Sequence, residues 1–197
     1  MYLRTDEESE TANAMEMAAR FTKAVETDPR LWRWVIIALH NAVQGVMVLS
    51  LRHGNGLLAL TDECYREWMK AYQNHTPYPV EKLDSYLNLY KKVKHKETGQ
   101  VGGNRRFVPT GSEGVSIKRL NDLRNEFIHF TPKGWSLEVD GLPEICRDCA
   151  RLVSFLGWET QNVFWHADEA RTTAQAAHAE FVQAMERLQE HYAQQTG

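Results

Sequence analysis

The chain has 197 residues, 43% apolar and 25% charged, enough for one domain with its own core and no need of disulfides or metals. A net charge of −3 gives no global positive field, so any contact with nucleic acid has to be a local patch. Three cysteines form no even disulfide framework, and the first ten residues are acidic and polar; a reducing cytoplasm and no secretory leader are expected.

Residues 1–10 read as a flexible lead. Residues 11–26 (TANAMEMAARFTKAVE) are rich in Ala, Met and Glu and carry Ala14, Met17, Ala18, Phe21 and Val25 on one helical stripe. Asp28-Pro29 then has the form of an N-cap followed by proline at the first helical position. Residues 34–51 are long and largely apolar. They also contain His40, Asn41, Gln44, Gly45 and Ser50, which are costly in hydrocarbon, so a core helix is expected and not a membrane span. His53-Gly54-Asn55-Gly56 stops it.

Thr61 or Asp62 caps a third helix reaching about Asn74 and carrying Cys64, Tyr65, Trp68, Met69 and Tyr72; residues 76–79 (TPYP) break the chain. A short helix is expected over 80–94, with Leu83, Leu87 and Tyr90 inward. Residues 95–115 form a long glycine-rich connection with no helical period. A helix over 116–130 follows, ended by Pro132 and Gly134. Residues 135–139 suggest a short extended piece, and 143–166 and 168–194 two long helices. The pattern predicts a single all-α domain over 1–197: an up-and-down helical bundle of about seven helices with one long glycine-rich basic loop.

The helix over 116–130 ends in Arg124-Asn125-Glu126-Phe127-Ile128-His129. A guanidinium grips a phosphate through paired hydrogen bonds, and an imidazole moves a proton near neutral pH. At 100° per residue, Leu120, Leu123, Phe127 and Phe130 form the core face. Arg124 falls at its margin, while Asn125 and His129, four apart, lie together on the side away from the core. The core therefore does not need His129, which becomes a site only if a second surface closes over it; a second copy of the same helix across a two-fold axis would do so. The plain alternative makes Arg124 a surface ion-pair partner and His129 a cation near a helix C-terminus. Arg33…His40 and Arg171…His178 fit a six-residue version of the spacing, but Trp34 and Thr172 follow their arginines.

This motif resembles the Rx4–6H signature of the HEPN superfamily, small all-helical domains that include many metal-independent ribonucleases. The likeness rests on residues 120–131 and extends to the rest only through the all-helical pattern. It implies an endoribonuclease without a cofactor, acting at a composite dimer-interface site. Arg124, Asn125 and His129 would be catalytic, with RNA as partner. It also implies a role in toxin–antitoxin or defence systems, with control by an antitoxin or regulatory protein. Some members carry a tyrosine two residues after the histidine, where a partner modifies it. Thr131 stands there in this chain, so that control is not implied.

Lys91, Lys92, Lys94 and Lys96 precede the long loop, Arg105 and Arg106 sit within it, and Lys118 and Arg119 follow it. This is the one strong concentration of positive charge. It suits an RNA backbone clamp beside the Arg/His cleft, with Phe107 stacking on a base, or else a solvated basic loop. His40, Asn41 and Gln44 on the apolar helix are candidates to support Arg124 or a phosphate, or are satisfied core hydrogen-bonding groups. Cys146 and Cys149 form a CxxC that lacks two further ligands for zinc, and packing is the expected role. No phosphate-loop, dinucleotide or HExxH motif is present, and no metal or cofactor is expected. A non-catalytic helical module binding a protein or nucleotide is the competing expectation.

Overall fold

Asp6 opens the first helix, its side chain accepting the Ser9 N–H at 2.8 Å, so α1 (Glu7–Val25) starts four residues before the helix expected over 11–26 and takes in part of the lead expected to be flexible. The computed structural model describes residues 2–52, 55–95, 105–129, 132, 134 and 136–195. Lys96, Phe130, Thr131 and Trp135 lie outside them. Among the described residues there are seven α-helices and no strand, an all-α bundle.

α1 is sandwiched between α2 (Trp32–Leu51) and α7 (Asp168–Gln195). It buries Met15, Ala18, Ala19, Thr22 and Val25, whereas the expected inward residues Met17 and Phe21 stay half-buried at its edge. A helix with a neighbour on two sides faces them with small residues on a wide arc, which rotates the predicted stripe. Asp28 accepts the Arg30 N–H and caps a short turn, Pro29–Leu31, that leads into α2. The span 29–51 is long and apolar enough to cross a bilayer, but it packs against α1, α4, α5 and α6 as the central, mostly buried core helix. At Gly45 the two helices approach so closely that a Cβ would collide with the Thr11 hydroxyl.

Thr61 caps α3 (Asp62–Asn74) through the Cys64 N–H at 3.2 Å. Only Cys64 and Ala71 of this helix are fully buried, and Tyr65 and Tyr72 are exposed, so α3 lies on the flank of the bundle. Trp68 stacks there on Tyr78 at 4.5 Å between centroids. α4 (Tyr86–Val93) begins six residues later than expected. Ser85 caps it, and Leu83, expected inward, pairs by backbone with Leu60 and stays partly exposed. Tyr86, Leu89, Tyr90 and Val93 face the core.

The described end of the long loop is anchored. Phe107 is buried, and its N–H donates to the Val93 carbonyl at 2.9 Å. Asn162 grips the backbone N–H and C=O of Arg105, each at 2.9 Å. α5 (Glu113–Ile128) and α6 (Leu142–Ser154) follow; residues 136–139 form no strand. The helix expected to run on to His166 widens into a π-type turn at Phe155–Glu159 and stops. There Thr160 Oγ1 donates to the Phe155 carbonyl and Trp165 Nε1 to the Gly157 carbonyl. Buried Glu8 accepts the backbone N–H groups of His166 and Ala167, tying the start of α1 to the start of α7.

Candidate active site

α5 is fixed at its start by a carboxylate folded back on the chain. Glu113 accepts the Gly111 N–H at 2.8 Å and the Thr110 N–H at 3.1 Å, is buried, and pairs with Arg151 of α6. Ser112 and Ser116 both donate to Asp148 Oδ2 at 2.6 Å, a second tie to α6. Ile117, Leu120 and Leu123 are fully buried, as the helical projection requires.

The last two turns carry the motif. Arg124 is half-buried at the margin of the core face, and its Nη1 donates to Asn125 Oδ1 at 3.0 Å; its Nε is buried with no partner among the described residues. Asn125 therefore orients the guanidinium. His129 closes the helix, its N–H donating to the Asn125 carbonyl at 2.8 Å, and its side chain is exposed. Five residues separate Arg124 from His129, about 140° around the helix and about 7.5 Å along it. The two side chains diverge within one protomer.

α2 runs antiparallel beside α5, and two of its polar contacts bear on the motif. Arg33 Nη2 donates to the Phe127 carbonyl at 3.0 Å, where a cation is favoured by the helix dipole. Two turns on, His40 Nε2 stands 3.4 Å from Asn121 Oδ1 while the ring stacks on Tyr86 of α4 at 4.0 Å. Burial pushes the His40 imidazole down to about 4. The Arg124 guanidinium adds to that push, and hydrogen bonds to Asn121 and Asn41 oppose it without overcoming it. At neutral pH His40 is uncharged, with Nε2–H donating to Asn121. His40 thus belongs to the surroundings of Arg124. Asn41, exposed, and Gln44, half-buried, line a groove between α1 and α2.

The basic residues stand elsewhere. α4 runs antiparallel to α5, with Tyr86 near the level of Asn121 and Tyr90 near Gly114. Lys91 and Lys94 are therefore beside the start of α5, about 20 Å from His129 at 1.5 Å per residue, and the patch does not flank the motif as expected. Lys91 is exposed, and Lys94 lies 4.2 Å from the Tyr90 ring centroid. Lys92 is committed to Asp84 at 2.8 Å and to Asp62 at 3.4 Å. Arg105 and Arg106 are exposed; Phe107, expected to stack on a base, is a core side chain between Tyr90 and Phe155. Lys118 and Arg119 are exposed on α5, between the two ends.

Cys146 and Cys149 are buried free thiols whose ionisation burial pushes up, which makes them inert packing groups. No cluster of three or more metal-ligating side chains occurs among the described residues. Sequence reasoning missed Arg33, Tyr86 and Asn121. The signal was present, since Arg33 and His40 are seven apart and share a face of α2, but only the fold shows that this face meets α5. No family model matches the chain, and no curated protein or solved structure matches it.

Proposed function

We propose that the chain is a metal-independent endoribonuclease of the HEPN type that cleaves RNA at a site composed from two copies. The observation that carries this reading is the end of α5, where an Arg124 guanidinium held by Asn125 and an exposed His129 stand about 7.5 Å apart along the helix. Cleavage needs a base to take the proton of a ribose 2′-hydroxyl as its oxygen bonds to the adjacent phosphorus. It also needs an acid to protonate the departing 5′-oxygen as the P–O5′ bond breaks. One chain offers a single exposed histidine at this helix end, so pairing of two α5 ends supplies both groups. Arg124 would stabilise charge gathering on the phosphoryl oxygens, and the products would be a 2′,3′-cyclic phosphate and a 5′-hydroxyl. Exposed Ile128, beside His129, gives that pairing an apolar contact. Neutral His40 keeps a second cation away from Arg124, leaving the guanidinium's charge for the phosphate. Lys118, Arg119, Lys91, Arg105 and Arg106 would then hold RNA several nucleotides from the scissile bond. A cytoplasmic role as a toxin or defence effector follows from the same reading.

The test is incubation with labelled RNA in EDTA, comparing the wild type with His129→Ala and Arg124→Ala. Cleavage to cyclic phosphate by the wild type, lost in both variants, supports the reading; cleavage that survives both substitutions refutes the site. The competing reading, a non-catalytic module binding a protein or nucleotide, is favoured by the separation of the basic residues from His129. Absence of cleavage on any RNA would put it first.

A further inference from the structure

We propose that the groove between α1 and α2 docks an amphipathic helix of a partner protein, apolar along one face and basic at one end. The groove encloses about 840 Å³ and runs from Trp34 to Val48 of α2. Fourteen residues of helix make it about 21 Å long, four turns. The trough is lined by one face each of α1 and α2 and takes a row of side chains from an overlying helix. Its floor is apolar, made by Met17, Phe21, Ile37 and Ala38 among others. Trp34 closes one end and is 45% exposed, large for a tryptophan on a surface with no function.

Charge selects the occupant. Asp6, Glu7 and Glu10 line the far end, Asp6 capping α1 through the Ser9 N–H and Glu10 accepting from the Thr5 hydroxyl, and among the described residues no lysine, arginine or histidine lines the groove. Arg52 reaches Glu7 at 3.1 Å from outside, offsetting one of the three carboxylates. The rim therefore asks for basic groups at that end, with an apolar stripe at helical spacing along the floor. A symmetric second copy does not fit. An isologous pairing here sets trough against trough and fills neither.

The Trp34 end reaches the motif helix. Trp34 packs on Phe21 at 6.4 Å between centroids, and the Arg33 guanidinium lies 5.2 Å from the Trp34 ring centroid. The same guanidinium donates to the Phe127 carbonyl, two residues before His129. A helix pressing on Trp34 thus acts on the side chain that holds the end of α5, which makes the groove a control point. That consequence, unlike the docking itself, rests on the ribonuclease reading.

A display library of helical peptides of about 16 residues, long enough for four turns, is sorted on the intact chain. The expected binders carry an apolar i, i+4, i+7, i+11 stripe and lysine or arginine at one end. By fluorescence anisotropy, Trp34→Ala and Glu10→Lys each weaken them about tenfold or more, with circular dichroism showing both variants folded. Recovery of no binders, binders without the stripe or the basic end, or binding unchanged in both variants overturns the proposal. So does a dimer in light scattering that Trp34→Ala dissolves. Peptide binding does not depend on RNA cleavage. Binders with no nuclease activity defeat the ribonuclease reading alone, and nuclease activity with no binders defeats the docking alone.

Discussion

Replacing His40 by glutamine makes the stability of the protein less dependent on pH in the mildly acid range. Burial first, and then Arg124, hold the folded-state His40 at about 4, against 6.5 for the free side chain. Between those values the unfolded chain binds the proton and the folded one does not, so stability rises with pH. The contribution is fully present above about pH 6.5 and is lost as pH falls towards about 4. The whole interval corresponds to about 3 kcal/mol, of which about 2 kcal/mol is gone at about pH 5. His178, also pushed down by burial, acts in the same direction, and the lowered carboxylates of Asp6, Asp28 and Asp84 act at lower pH. The comparison with His40→Gln removes these shared terms. Urea unfolding of both proteins between about pH 7.5 and about pH 5 measures the difference. The wild-type advantage is expected to fall by about 2 kcal/mol on acidification. If it changes by less than about 0.5 kcal/mol, His40 is not a buried neutral group and the account of Arg124's surroundings fails.

Gly45→Ala forces α1 from α2 against the Thr11 side chain, and a loss of about 1–3 kcal/mol is expected in thermal or urea unfolding. Glu113→Ala releases the backbone N–H groups of Thr110 and Gly111 together with Arg151, costing about 1–3 kcal/mol by the same measurement and loosening the start of α5 in hydrogen exchange. Charge neutralisation at Lys118 and Arg119 touches no core group; on the proposed ribonuclease reading it is expected to weaken RNA binding across sequences and to lower the salt slope by about two, read by filter binding at several salt concentrations. Lys92→Ala, by contrast, leaves buried Asp84 without its cation and is expected to act on stability more than on RNA affinity.

The helices were legible because their ends are chemically marked. Asp28-Pro29 and Thr61 cap where expected, and the buried run 34–51 is the central helix. The misplacements share one cause. Periodicity shows that a helix has an apolar arc but not how many neighbours divide it, so Met17 and Phe21 were assigned to the core and are half-buried lining of a groove. Phe107 was misread for a related reason. A phenylalanine in a glycine-rich basic loop has no local signal of burial, and its seat is made by Tyr90, Phe155 and the Val93 carbonyl, from elements far apart in the chain. On α5 the projection placed Leu120 and Leu123 inside, Arg124 at the margin and His129 outside, as found, while Phe127, expected in the core, and Asn125, expected away from it, are both half-buried.

What the projection could not contain is the role of α2 as a rail for the motif. Arg33 and His40 are seven residues apart, two turns, and their partners Phe127 and Asn121 are six apart on the antiparallel helix. The two contacts therefore clamp the same stretch of α5 at both ends, and Arg124 lies between them. A spacing that looked accidental along the sequence is a matched pair of struts in space. Because one strut is a permanent cation on a helix C-terminus and the other a neutral imidazole held by stacking, they respond to different perturbations. Protonation in acid acts on the His40 strut, and the Arg33 guanidinium, 5.2 Å from the Trp34 ring centroid, ties the other strut to the proposed docking groove. The last two turns of α5, which carry Arg124 and buried Leu123, are thus held from α2 at Asn121 and at Phe127.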